Sequence, residues 1–147
     1  MIDRFKNEYA FLSNFYEKEI TLYGRTYLNA EAAFQAQKTF DLDIKEQFQT
    51  LNPAQAKYLG KRIKLREDWE DVKDEIMEYV IRAKFSDPEL QDMLISTGEE
   101  ELVEGNTWGD TYWGVSIDVS KKYGKGRNQL GKTLMKIRKE LIGGDYE

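Results

Sequence analysis

The chain has 147 residues, of which about 40% are apolar and 33% charged, a length and balance suited to one domain with a core that needs no disulfide. It contains neither cysteine nor histidine. This excludes thiolate chemistry, imidazole zinc sites and histidine-based triads, and leaves proton transfer to Asp, Glu, Lys or Tyr. With 22 basic against 27 acidic residues, the net charge of -5 argues against coating nucleic acid by general phosphate attraction, though not against a local phosphate pocket.

Met1-Ile2-Asp3-Arg4-Phe5 has neither the apolar run nor the basic lead of a secretory signal, and no stretch reaches the length of a membrane span. A cytoplasmic protein is expected, with no membrane contact. No linker, repeat or low-complexity tract interrupts residues 1–147, which predicts a single domain. The first 28 residues read as partly extended: Ile20 and Leu22 alternate with polar neighbours, Gly24 offers a turn and Tyr27 resumes the pattern, as in a short hairpin. Asn29 then caps a helix whose stripe is Ala30, Ala33, Phe34 and Gln37. Asp43 is placed as the cap of a short second helix holding Ile44 and Phe48. Asn52-Pro53-Ala54-Gln55 is a capping-box start, and that helix should bury Ala56 and Leu59 and stop near Gly60.

The longest periodic segment places Trp69, Val72, Ile76, Tyr79, Val80 and Ala83 on one packed face, with both signs of charge on the other. Asp87-Pro88 restarts a helix to about Ser96, with Gly98 as its stop. Leu102-Val103 and Tyr112-Trp113 fit strands or loops equally well. Leu130, Leu134, Ile137 and Leu141 mark a final helix that ends at Gly143-Gly144. The sum is a predominantly helical α+β domain with a small antiparallel β element.

Three groups of residues carry chemical potential. In Phe11-Leu12-Ser13-Asn14-Phe15, two aromatics flank a Ser-Asn pair suited to reading the polar edge of a flat ring, although a core-and-turn role would produce the same pattern. Glu31, Phe34, Gln35 and Lys38 share a helix face at steps of three, four and seven. The helix dipole lowers the pKa of Glu31 while burial raises it; an arbitrary glutamate there is usually only a surface residue. In the third group, Glu104, Asp110 and Asp118 flank Trp108, Tyr112 and Trp113, an aromatic wall beside acids. Gly124-Lys125-Gly126-Arg127-Asn128 then leads into the last helix as a phosphate seat of turn amides and two basic side chains, without nucleotide P-loop spacing. Arg62, directly after a helix stop, is placed to bend into a cleft, whereas neighbouring lysines read as a solvated face.

Taken in order, these segments resemble the NADAR family and its YbiA-like branch. The matching residues begin with Ser13-Asn14-Phe15, Ala30-Glu31 and Phe34-Gln35-Ala36-Gln37-Lys38. Trp69 with Lys73 and Met77, then Arg82-Ala83-Lys84-Phe85 and Leu102-Val103-Glu104, continue the series. Asp110, Tyr112-Trp113-Gly114, Gly124-Lys125-Gly126, Asn128, Leu130-Gly131, Leu134-Met135 and Arg138 complete it. The resemblance implies hydrolysis of N-glycosidic bonds, with the catalytic glutamate at Glu31 and the active-site tryptophan at Trp113. It also implies a phosphorylated ribosyl substrate, such as the ribosylamino-pyrimidine phosphates of riboflavin synthesis, or ADP-ribose on modified guanine in nucleic acid. A non-catalytic module binding ADP-ribose or a related nucleotide is the alternative from another class.

In the expected reaction no cofactor or metal takes part. A carboxylate meets the positive charge on the ribose or activates water, and a Schiff base with Lys38 or Lys84 is the rival route. Arg62, Lys84, Lys125 and Arg127 are the candidate phosphate-side cations, with Gly126 and Asn128 completing the seat. One departure stands out. Where the family carries Asp-Gly and a short glycine-rich run, this chain has Val115-Ser116-Ile117-Asp118 and a longer run to Gly124. The second acidic role would then pass to Asp118 or Asp110, or be absent.

Overall fold

The computed structural model describes residues 1–117 and 124–143, which group into a central unit, Asn14–Asp87, and a terminal unit drawn from Met1–Ser13 and Pro88–Glu147. The central unit starts with the expected hairpin. Strands β1 (Glu17–Leu22) and β2 (Arg25–Asn29) pair antiparallel, with Ile20 opposite Tyr27 and Leu22 opposite Arg25. Tyr23 and Gly24 both take positive φ (51° and 80°), the two-residue turn whose twist suits paired strands. Ile20, Leu22 and Tyr27 are buried while Thr21, Thr26 and Leu28 face outward, so one side of the ribbon joins the core.

Asn29 both ends β2 and caps helix α1 (Ala30–Ala36). Its side-chain oxygen accepts from Ala32 N at 2.7 Å, and its amide donates to the Leu51 carbonyl. Strand thus passes into helix without a loop, and Glu31 emerges in the first turn, its N–H donating to the Asn14 carbonyl. Helix α2 (Leu42–Phe48) is capped by Asp41, not Asp43: the Asp41 carboxylate accepts from Asp43 N and Ile44 N. Both aspartates are chemically suitable, and the earlier one wins because it can serve the amides of the first turn from outside the helix.

Helix α3 (Pro53–Gly60) has the full capping box between Asn52 and Gln55. Helix α4 (Trp69–Lys84) buries Trp69, Ile76, Met77, Val80, Ile81 and Lys84. Its stripe is therefore shifted from the expected one: Tyr79 lies outside it, 43% exposed, and a lysine lies within it.

In the terminal unit the extended reading of the first residues gives way to a 3-10 turn at Asn7–Leu12. Phe11 and Leu12 are adjacent and both buried, which a turn allows and strand alternation opposes. Helices α5 (Pro88–Ser96) and α6 (Gln129–Gly143) pack together, and Arg138 of α6 donates to the Thr97 hydroxyl at 2.8 Å. Ile2 bridges Leu102 in parallel, and strands β3 (Gly105–Asn106) and β4 (Val115–Ser116) form a second, parallel pair. Tyr112-Trp113 is loop. The architecture is a predominantly helical α+β fold whose larger β element is the antiparallel hairpin. No helix among the described residues is long and apolar enough to cross a membrane.

Candidate functional site

In the central unit the Glu31 group assembles around Gly60. The Gln35 amide donates to Glu31 Oε2 at 2.7 Å, fixing the carboxylate one helical turn away. The Gln35 side chain lies flat against Gly60, where any Cβ would overlap it, and Lys38 Nζ reaches the Gly60 carbonyl at 3.4 Å. The glycine that ends α3 is therefore also the surface on which α1 seats its polar residues. Burial pushes the Lys38 amine below the usual lysine range, and the Glu31 charge draws it partly back. Lys38 also lies 5.9 Å from the Trp69 ring centre.

Phe34 departs from the expected face. It is buried against Trp69, with ring centres 5.2 Å apart, and so supports the helix from below. Asn14 is buried, its amide 3.4 Å from the Met77 sulfur and its Oδ1 without a hydrogen-bond partner among the described residues. Phe15 is exposed beneath the Lys57 ammonium. Arg62 does not bend into a cleft. Its guanidinium stacks 3.4 Å over the Tyr58 ring and donates to the Tyr58 carbonyl, because the turn that follows α3 folds Arg62 back over the last turn of that helix. Lys84 is fully enclosed near the Tyr16 and Phe85 rings, and burial brings its amine down to about 7. The resemblance had marked Lys84, but its position on the packed stripe was hidden in the sequence, where lysine signals an exposed face.

In the terminal unit the organiser is Asn106, a residue that sequence reasoning did not single out. It is 2% exposed and exchanges two bonds with Asp110, its amide donating to the Asp110 carbonyl and its oxygen accepting from Asp110 N. The same amide donates to Glu104 Oε2 at 3.1 Å. Asp110 Oδ1 in turn accepts from the backbone N–H of both Tyr112 and Trp113 at 3.0 Å. The Trp113 ring, half-buried, meets Tyr112 edge-on at 4.8 Å. Trp108 is exposed.

The expected phosphate seat is altered. Arg127, Asn128, Gln129 and Leu130 donate their backbone N–H to the carbonyls of Thr111, Gly114, Tyr112 and Trp113. Those four amides are taken up within the fold. Lys125 and Arg127 are exposed, and Arg127 sits 5.2 Å over Tyr112. Gly126 lies against the Gly114 carbonyl with no room for a side chain. Asn128, at φ 53°, clamps the chain: its oxygen accepts from Glu104 N and its amide donates to the Leu102 carbonyl. It positions Glu104 and is itself fully engaged. Ser13 belongs to this terminal unit, and Asp118 lies outside the described residues.

Comparison with known proteins gives this ordered set a family. A model of the NADAR domain matches residues 2–142. The chain belongs to the NADAR family. Among curated relatives of this NADAR chain, "N-glycosidase YbiA" of Escherichia coli (strain K12) is 38% identical over 139 residues, covering 92% of this chain and 83% of that one. "Riboflavin biosynthesis protein VVA0006" of Vibrio vulnificus is 36% identical over 137 residues, 90% of this chain and 36% of that longer protein. The NMR structure of the Escherichia coli protein YbiA superposes with a TM-score of 0.82 at 34% identity, covering all of this NADAR chain and 90% of that one. The chain is thus homologous to the YbiA N-glycosidases in sequence and fold.

Proposed function

We propose that the protein is an N-glycosidase that hydrolyses the C1'–N bond of a phosphorylated ribosyl compound, with Glu31 as its catalytic carboxylate. The observation that carries this reading is the Glu31 carboxylate held at 2.7 Å by the buried Gln35 amide in the first turn of α1. A fixed acid in a chain without histidine suits a reaction that builds positive charge. As the C1'–N bond breaks, its electron pair leaves with the nitrogen and the ribose becomes cationic. Glu31 stabilises that cation or accepts a proton from the attacking water. Water oxygen bonds to C1', and the departing nitrogen takes up a proton.

On the family resemblance alone, Trp113 is assigned to the base or sugar, and the Lys125 and Arg127 side chains to phosphate. The substrate we favour is a ribosylamino-pyrimidine phosphate, because two relatives bear riboflavin-biosynthesis names and others an N-glycosidase name. Release of ADP-ribose from modified guanine is less favoured by a net charge of -5.

A second route has one observation behind it. Lys84 holds its amine down to about 7, so much of it is neutral and nucleophilic near neutrality. On a ring-opened sugar that amine would displace the base nitrogen at C1', forming an imine that water then hydrolyses. Borohydride added during turnover separates the routes: a reduced adduct on Lys84 selects the imine, and its absence selects direct hydrolysis.

The decisive test is Glu31→Gln, assayed for base release from a panel of ribosylamino-pyrimidine phosphate, NAD, ADP-ribose and ADP-ribosylated guanine. Turnover should fall by about 10²–10⁴-fold while calorimetric binding and thermal unfolding stay close to the parent. If Glu31 only favours the helix N-terminus, the change is on the order of 0.3–1 kcal/mol in stability with near-normal turnover. Turnover within about threefold of the parent rejects the assignment, because a positioned acid or base contributes far more.

A further inference from the structure

The central unit holds a cleft of about 500 Å³ that includes none of the residues discussed so far as catalytic or substrate-binding. Its walls bring together three cations from different elements: Arg25 from β2, Lys45 from α2 and Arg66 from the segment before α4. Arg66 is balanced by Asp68, which accepts from its Nε at 2.6 Å and its Nη2 at 2.8 Å. Among the described residues the other two bond neutral groups. Lys45 Nζ donates to the Ala36 carbonyl at 3.2 Å and to Gln37 Oε1 at 2.9 Å, and Arg25 donates to Gln49 Oε1 at 3.0 Å. Glu75 is the one acid on the lining, and it accepts from the Tyr79 hydroxyl at 2.8 Å.

The mouth of the same cleft gathers side chains that folding leaves in water. Tyr23 is 63% exposed, Phe40 66%, Leu42 63% and Tyr79 43%. Singly, such residues need no explanation; four of them around one concave opening form a patch with an inward-facing positive floor. Tyr23 and Tyr79 meet edge-on at 6.3 Å, and the Arg66 guanidinium stacks 4.2 Å from the Phe40 ring. Flat faces at the rim suit a planar ring, and cations without carboxylate partners suit an anionic group carried on it.

We propose that this cleft is a second ligand site, separate from the Glu31 group, that takes a planar aromatic ring bearing a phosphate, a ligand of the mononucleotide class. The ring lies against Phe40 and Tyr79, and the phosphate reaches Lys45 and Arg25. The electrostatics of the empty cleft agree. Burial brings the Lys45 amine down to about 8, and the neighbouring Arg66 and Arg25 charges push in the same direction. Tyr23, Tyr27, Glu75 and Tyr79 are the other titratable groups facing the space. A bound phosphate would reverse that pressure, so binding near pH 8 should take up a fraction of a proton.

The test uses the intact chain with AMP, adenosine and inorganic phosphate, followed by calorimetry in two buffers of different ionisation heat and by amide and methyl chemical shifts. AMP should bind more tightly than either half, with proton uptake near pH 8 and shifts centred on Phe40, Leu42 and Lys45. Arg25→Gln and Phe40→Ala, both at partly or fully exposed positions, should each weaken AMP about tenfold, the loss expected for one charge-assisted or stacking contact. Hydrolysis at saturating ribosyl substrate should be unchanged in Arg25→Gln, which keeps this site's failure distinct from failure of the proposed reaction. No AMP binding at millimolar concentration overturns the proposal, as do shifts confined to other regions or AMP affinity unchanged in both variants. Self-association that protects Phe40 and Tyr79 while AMP has no effect would also overturn it, assigning the rim to a second copy of the chain.

Discussion

Asp110 illustrates how a residue chosen for its charge can act through its geometry. Its Oδ1 holds the Tyr112 and Trp113 amides, a task that an asparagine oxygen performs equally well. Asp110→Asn should therefore keep most activity, whereas Asp110→Ala should lose it through a displaced Trp113, read as a changed indole fluorescence together with lower turnover. If the Asn variant is as inactive as the Ala variant, the Asp110 charge itself takes part. Trp113→Phe is the companion probe: it keeps most of the ring volume, so an unchanged melting temperature with strongly reduced activity assigns Trp113 to substrate. Normal activity in that variant returns it to packing.

At the scale of elements, the junction of α1 with α3 carries the most. Gly60→Ala adds one methyl group at the end of α3, yet it must push the Gln35 side chain away and release the Glu31 carboxylate. Turnover should fall at least as far as in Gln35→Leu, with the loss in kcat larger than any change in KM; an Ala variant with parent kcat separates Gln35 from the chemistry. By contrast, Asn52→Ala at the other end of α3 should cost about 1 kcal/mol of stability, measured by denaturant unfolding, and leave kcat alone. Elements of this kind were legible in the sequence because their signals are local: the Asn52–Gln55 box, the Asn29 cap and the hairpin around Gly24 all rest on neighbours within a few residues. The sharing of Gly60 between α3 and Gln35 was not legible, since it depends on a contact 25 positions apart. Arg62 was misplaced for the complementary reason: the ring that captures it lies four residues back, on the helix that Arg62 follows.

For the molecule as a whole, the absence of histidine shifts the pH response to other groups. Lys84 titrates at about 7 when folded and in the ordinary lysine range when unfolded, so between those values the unfolded chain binds the extra proton. Stability must then rise with pH from about 7 toward about 10, and is lost as pH falls through the folded value. Lys45, near 8, adds to the same trend, so the Lys84 part is obtained by subtracting the unfolding profile of Lys84→Met. That difference should climb with pH and favour the variant most strongly in acid; a flat difference would mean that Lys84 is not held neutral. Composition announced only that imidazole is not a group titrating near neutrality here. It did not name Lys84, because a lysine on the packed stripe of α4 looks, letter by letter, like any solvated lysine.

The interleaving of residues 111–117 with 124–131 has a bearing on how chains of this kind diversify. Ser116 N donates to the Lys125 carbonyl, Gly124 sits directly against the Ser116 carbonyl, and four further amides of the returning segment and helix are fastened to Thr111 through Gly114. The two ends of the run between Ile117 and Gly124 are thereby held together from outside it. Because these bonds lie wholly in the two flanking segments, the place of Trp113 and the start of α6 is set by the flanks themselves. The letters that join them are thereby left open to exchange among chains that share the same frame.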